Sequence, residues 1–241
     1  MKSGYRKIIL GLLFFATLGL SSCLNTDYTG QTAYGDAFVK SVLMNDSVVG
    51  YNVQLYAYSW SEMKSVEVYT GSNQESIIHL DTIDYKYTFA YQPEEQTYLQ
   101  EPPEENDYFF NVVFDDDEHT IVNDYLSTDV ILPPTVKMLE WDDVDKQIKL
   151  EWNPVTNAQI YSVALINPEG KVAFETEMLD NSVTTLWINQ YTYGWHSGLK
   201  PDETTTFQIV IRAFLFEPVA STFDIQCMAV NDIHSIEWNL D

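Results

Sequence analysis

Basic side chains are scarce in this 241-residue chain: 12 Lys and Arg stand against 36 Asp and Glu, a formal net charge of −24. Past Lys7 they form no cluster, so there is no basic face on which phosphates could be neutralised, which argues against a nucleic-acid partner. Cysteine is nearly absent, at two residues, and cannot supply a disulfide framework. The ten Gly are spread thinly, and the chain contains no phosphate-cradling Gly-rich loop, no Gly-x-Ser-x-Gly and no His-Glu-x-x-His. The four His, at 79, 119, 196 and 234, lie far apart, and none has a second His or Cys at metal-ligand spacing. Aromatic side chains, in contrast, abound: 12 Phe, 16 Tyr and 6 Trp exceed what an acidic disordered chain carries, so the composition is that of a folded protein with a core. Nothing here implies an enzyme or a cofactor.

The N-terminus reads as an address. Lys2, Arg6 and Lys7 precede an apolar run from Ile8 to Leu20, too short to span a bilayer comfortably, so residues 1–22 are expected to form an export signal. Leu20-Ser21-Ser22-Cys23 resembles the lipobox of bacterial lipoproteins. The resemblance implies that Cys23 is the mature N-terminus, carries a diacylglycerol and anchors the protein to a membrane through its acyl chains. The other reading is an ordinary signal peptide cut at a small residue nearby. Removing residues 1–22 takes away three basic and no acidic side chains, which leaves −27 on 219 residues. Such a charge is repelled by anionic headgroups and favours a domain held off the membrane, with 23–32 as a polar tether. Ser-Ser before the Cys, with the Asn, Asp and Tyr richness that follows, is similar to lipoproteins of gut Bacteroidota. That implies a cell-envelope location, at the outer membrane, with the facing left open. With Cys23 acylated, Cys227 has no disulfide partner. Phe223, Ile225 and Cys227 alternate onto one face, so Cys227 is expected to be a buried core thiol.

Beyond the tether the apolar runs are short, rich in Val, Ile, Tyr, Phe and Thr, and punctuated by Gly, Pro, Asn or Asp, which predicts an all-β chain. Pro133-Pro134 divides it into two halves, since neither residue donates to a ladder. Gln147 to Trp152 alternates, with Ile148, Leu150 and Trp152 on one face. Leu150-x-Trp152-x-Pro154, then Ala158 and Tyr161-x-Val163, resembles the B to C strand region of fibronectin type III domains. Leu199-Lys200-Pro201-Asp202 before Phe207-x-Ile209-x-Ile211 resembles their E to F corner, although Glu203 and Thr205 stand where the family has Thr and its corner Tyr. Glu217-Pro218-Val219 sits where the family begins its last strand. The resemblance implies a fibronectin type III-like domain over 133–230. Residues 33–132 read as an immunoglobulin-like β-sandwich by pattern alone: Val53, Leu55 and Ala57 alternate with Gln54, Tyr56 and Tyr58, and Tyr85, Tyr87, Phe89 and Tyr91 share a face. Asp107 to Phe114 and Thr120 to Val122 form a hairpin. Residues 231–241 keep Ile233, Ile236, Trp238 and Leu240, and are expected to add a strand or pack at the domain junction. The expected fold is thus two consecutive antiparallel β-sandwiches.

Two kinds of cluster could carry chemistry. Asp115-Asp116-Asp117-Glu118 offers the oxygen ligands a calcium ion wants, but lacks the alternate spacing and turn glycine of a calcium loop; its other reading is a solvated hairpin tip. The acidic stretch Pro93 to Asp107 reads as a charged mobile loop. Tyr56, Tyr58 and Trp60, with Tyr69 from a neighbouring strand, would make an aromatic shelf if exposed. Trp187, Tyr191, Tyr193 and Trp195, beside His196, crowd one short segment. Such rings suit the apolar faces of sugars and also anchor protein interfaces; buried, they are core. The expected function is a non-catalytic, lipid-anchored envelope protein that works by binding or by spacing another component, with glycan capture through exposed aromatics as the binding role to test. The rival is a structural or assembly role with an envelope protein as partner, and a glycan-active hydrolase, which needs two convergent carboxyls beside the shelf, comes third.

Overall fold

A computed structural model describes residues 31–45, 48–71, 77–94, 97–218 and 224–239, so Cys23, the signal segment and most of the tether lie outside the described residues. Every named element is a strand. In the first half, β1 (Ala33–Asn45) and β2 (Val48–Ser59) pair antiparallel from Ala33↔Ser59 to Asn45↔Val48, and β6 (Thr88–Tyr91) and β5 (Asp81–Asp84) extend that sheet. A second sheet runs β4 (Ile78–His79), β3 (Met63–Thr70), β7 (Asn106–Phe114), β8 (His119–Leu126). Alternation decides which residues face inward: Tyr108, Phe110, Val112 and Phe114 of β7 are buried and meet Ala37, Val39, Leu55 and Ala57 in one core. Gly35 is required by that core, because a Cβ there would sit 2.5 Å from the Phe110 ring.

Two readings of this half change. Tyr85 and Tyr87 are not strand residues: with Lys86 they form the β5–β6 turn, Tyr85 and Lys86 taking positive φ. The turn is held by Met63 N donating to Lys86 O (2.7 Å) and Ser59 N to Tyr87 O (3.0 Å). The stretch after Pro93 is not a free loop either, since Leu99 and Tyr51 exchange two backbone hydrogen bonds (2.8 and 2.9 Å) and Tyr98 is buried.

The second half places β9 (Val136–Asp142), β10 (Gln147–Trp152) and β14 (Thr185–Asn189) in one sheet, in the order β14-β10-β9. Its other sheet is built on β11 (Ile160–Ile166), flanked by β12 (Val172–Glu175), β13 (Leu179–Asp180) and β15 (Thr205–Phe216). Ile148, Leu150 and Trp152 are buried as their alternation requires. These two sets of antiparallel strands make a sandwich-like arrangement. Its last strand begins at Ile225 rather than at Glu217-Pro218-Val219, because Pro218 cannot donate to the ladder and the chain first makes the connection after Phe216. That strand is also split. β16 (Ile225–Val230) pairs with the end of β15 and β17 (His234–Trp238) with its start. In the gap the Asn231 side chain replaces the missing ladder: its Oδ1 accepts from Ile211 N (2.6 Å) and its Nδ2 donates to Ile209 O (3.2 Å). β17 thus makes the C-terminal segment a strand and buries Trp238 against Trp141, Trp195 and Phe207.

The two sandwiches share a sheet. β1 pairs in parallel with β16, Val39↔Cys227 through Val42↔Val230, and the result is one continuous ten-stranded sheet. The connecting segment is stitched to this seam. Gln226 Nε2 donates to Ser127 O and Asp129 O (both 3.0 Å), its Oε1 accepts from Ser127 Oγ (2.9 Å), and Ser41 Oγ donates to Ile131 O (2.7 Å). Pro133-Pro134 therefore lies between two halves of one compact unit, Ala33–Asp241, whose buried hydrophobics form a single cluster.

Candidate functional site

The first aromatic surface is built on β1 and β2. Their register sets Tyr34 opposite Tyr58 and Asp36 opposite Tyr56. Tyr34 stacks on Tyr58 (6.4 Å between centroids), and Tyr58 meets Trp60 edge-on (5.2 Å). Trp60, in the β2–β3 turn, is 79% exposed, and the exposed Tyr85–Tyr87 turn lies against the same turn. Tyr69 does not join them. It lies on β3, in the other sheet, stacked on Phe109 (5.4 Å). Tyr34 takes its place; its signal in the sequence is only the alternation Tyr34-x-Asp36 at the start of β1.

The second surface is an open hollow of about 670 Å³ lined by Tyr191, Tyr193, Trp195, Glu175, Gln190 and Lys200. Asn189 ends β14 and shapes the loop, its Oδ1 accepting from Tyr191 N (2.8 Å) while Thr192 Oγ1 accepts from Asn189 N (2.9 Å). Gly194 continues it at φ 124°, where a Cβ would lie 2.4 Å from Glu175 O. Tyr191 and Tyr193 emerge 84% and 81% exposed, with Lys200 Nζ 5.4 Å from the Tyr191 ring centroid. Glu175 is tied to Arg212 (2.8 Å). Trp195 differs from its neighbours: its Nε1 donates to Asn189 O (2.9 Å) and its ring packs on Phe174, Phe207 and Trp238, so it is structural as well as lining. Trp187 is exposed on β14, outside the hollow; His196 is exposed too, but lines it.

The acids fall into two groups. Asp115 to Glu118 form the exposed β7–β8 tip, where Lys86 binds Asp115 (2.6 Å) and Lys64 binds Asp117 (2.7 Å). Two of the four acids considered from sequence as calcium ligands are thus paired with lysines. Among the described residues, the carboxylates that converge are instead Asp36 of β1, Asp124 of β8 and Glu217 after β15, with ligand oxygens within 4.8 Å of one another. Asp124 Oδ2 accepts from Ala37 N (2.7 Å), its Oδ1 from Tyr125 N (2.9 Å), and Asp36 Oδ2 from Ile225 N (3.3 Å). Burial, reinforced by the neighbouring carboxylates, pushes Asp36 up to about 8 and Glu217 up to about 7, and raises Asp124. Nothing local in the sequence announces this group. Its one signal is a carboxylate inside each of two strands, a position acids usually avoid. Cys227 is fully buried, its thiol pushed up to about 11 by burial, which suits core packing and not nucleophilic chemistry.

No family model and no curated relative matches the chain. Among solved structures it is similar to fibronectin(III)-like modules of Clostridium thermocellum CbhA (15% identity, 86% of this chain and 92% of that one, TM-score 0.32). It is also similar to a two-domain fibronectin type III segment of chicken tenascin (10% identity, 86% and 99%, TM-score 0.27) and to the BSP domain of a biofilm-associated protein (14% identity, 85% and 29%, TM-score 0.24). At these TM-scores the likenesses carry no argument. The chain's own strand order and register define an all-β protein of sandwich-like antiparallel sheets.

Proposed function

We propose that the protein is a non-catalytic, lipid-anchored scaffold of the cell envelope that captures glycan chains on exposed aromatic rings. The observation that carries this is the hollow beside β12, where two tyrosines more than four-fifths exposed stand on a hydrogen-bonded loop above polar side chains. Flat rings present the surface that stacks on the apolar face of a pyranose, and an open hollow suits a stretch of polymer better than an enclosed small molecule. Acylation of Cys23 would place the module at the outer membrane, and its net negative charge would keep it off the headgroups.

A second reading, docking of an envelope protein, is favoured by the first aromatic surface. Trp60, Tyr34 and Tyr58, with the Tyr85 turn alongside, form the kind of Tyr and Trp patch that anchors interfaces. The hydrolase reading finds its convergent carboxyls near this surface. Their nearest oxygens lie within 4.8 Å of one another, closer than the roughly 5–5.5 Å at which paired carboxyls flank a glycosidic bond.

The test is retention on polysaccharide affinity gels and glycan arrays, with and without calcium. Tyr191→Ala with Tyr193→Ala is expected to weaken binding at least about tenfold, on the order of 1.4 kcal/mol, with Tm unchanged. Binding that survives this pair removes the hollow from the account. A blank against all glycans, with envelope cross-links lost in Trp60→Ala, transfers the function to the protein partner.

A further inference from the structure

We propose, resting on the glycan reading above, that the chain held at the Tyr191–Tyr193 hollow is an uncharged polysaccharide. It runs on past Lys200 into a second hollow, between the β11–β12 turn and the segment leading into β15. Ligand charge and ligand length are thus both set by the surroundings of the tyrosines.

The second hollow has a volume of about 320 Å³ and is lined in part by Asn167, Glu169, Leu199, Asp202, Glu203 and Thr206. Lys200 lines both hollows, so they adjoin across one side chain. The ground between them is fixed by backbone hydrogen bonds: Glu175 N donates to Gly194 O (3.0 Å), His196 N to Ala173 O (2.9 Å) and Leu199 N to His196 O (3.1 Å). The β11–β12 turn is fixed as well, since Asn167 Oδ1 accepts from Glu169 N (3.1 Å) and Lys171 N (2.8 Å). Preformed, adjoining hollows lower the ordering cost of holding an extended chain. They also differ in kind. The first presents tyrosine rings, and the second presents carboxylate, amide and hydroxyl groups. A pyranose chain has apolar faces and hydroxyl edges, so successive units find partners of both sorts along this path.

The charge class follows from the acids. Among the described residues lining the two hollows, Lys200 is the single lysine or arginine, against Glu175, Glu177, Glu169, Asp202 and Glu203. Glu175 is answered by Arg212 (2.8 Å), and Lys200 already stands over the Tyr191 ring. Four carboxylates therefore remain beside one ammonium, on a chain of formal charge −24. A uronate or sulfate is best held by an arginine fork or a cluster of bases, and like charges brought together cost affinity. Sugar hydroxyls, in contrast, donate to carboxylate oxygens and bring no charge with them.

Affinity gels and titration calorimetry of the purified protein test this, with dextran, mannan and galactan set against polygalacturonate, alginate and a sulfated galactan. At least one neutral polymer is expected to bind, with a Kd that moves less than about twofold as salt is raised from about 0.05 to 0.5 M, and every acidic polymer at least about tenfold more weakly. An acidic polymer bound as tightly as any neutral one overturns the charge class and leaves the glycan reading standing; a blank on both sets removes that reading itself. With the bound polymer cut to defined oligosaccharides, affinity should rise with length until both hollows are filled. Asp202→Ala with Glu203→Ala should weaken the long oligosaccharides about fivefold and leave the short ones within about twofold, whereas Tyr191→Ala weakens both. Both acids are exposed, so the variant is expected to fold, which an unchanged Tm checks. Equal affinity for short and long chains, or long-chain binding untouched by the double variant, overturns the extension into the second hollow.

Discussion

The chain carries two groups of acids that differ in almost every respect. Asp115 to Glu118 are contiguous in sequence, exposed in space and answered by Lys64 and Lys86. Asp36, Asp124 and Glu217 are far apart in sequence and joined in space. Contiguous charge is easily solvated, because each carboxylate at a hairpin tip faces water. Convergent charge at a sheet seam is not, and burial changes its chemistry: the first group has Asp115 held below the usual carboxylate range by Lys86, the second has Asp36 pushed up to about 8. Density along the chain leaves the acids ordinary, and density in space changes how they hold their protons.

The aromatics divide the same way, and here the largest effect is expected. Trp195 and Tyr193 are two residues apart and line one hollow, yet Trp195 packs on Phe174, Phe207 and Trp238 while Tyr193 stands in solvent. Trp195→Ala should cost about 3–5 kcal/mol by chemical denaturation, and Tyr193→Ala less than about 0.5 kcal/mol. Equal costs would erase the distinction between a ring that holds the fold and a ring that the fold displays.

Next in size is the pH dependence of the seam. Asp36 and Glu217 have folded values above those of the unfolded chain, so their contribution is complete below about pH 4 and is lost as pH rises through about 7 to 8. Tm should therefore fall between mildly acidic and alkaline buffer, by on the order of 5–10 °C, and Asp36→Asn should flatten the fall. Asp115 has the opposite sign: its stabilisation is present above the carboxylate range and lost on acidification. A Tm that rises with pH to about 9 would mean the tip, not the seam, governs the titration.

Local pattern made parts of this fold legible and left others invisible. The strand from Gln147 to Trp152 was readable because one face is buried, so alternation and structure are the same fact. The Asp107–Phe114 hairpin arm was readable for the same reason, and so was the burial of Cys227. The β1–β16 pairing was not, because no periodicity within either strand says which edge will be its neighbour, and this pairing is what fuses two sandwiches into one unit. Tyr85 and Tyr87 misled because a bulky pair at alternate positions mimics a strand, while Tyr85 and Lys86 adopt the left-handed backbone of a turn. At the candidate sites, exposure was what sequence lacked: it grouped Trp195 with Tyr191 and Tyr193, and placed Tyr69 beside Tyr56 and Tyr58 although β2 and β3 belong to different sheets.

The smallest expected effect tests the tip. Lys64 and Lys86 each hold one tip carboxylate by a single exposed pair, and such pairs gain little because water screens the attraction and two long side chains must be ordered. Lys64→Ala should therefore leave Tm within about 1–2 °C of the parent, and raising the salt concentration should shrink even that difference as the Debye length contracts. The seam should respond differently to the same salt, since its carboxylates are largely shielded from mobile ions and repel one another across protein rather than water. A Lys64→Ala variant that loses many degrees and recovers none of them with salt would show that the tip clamps the β7–β8 hairpin, and the contrast between a solvated charge run and a structural one would then fall.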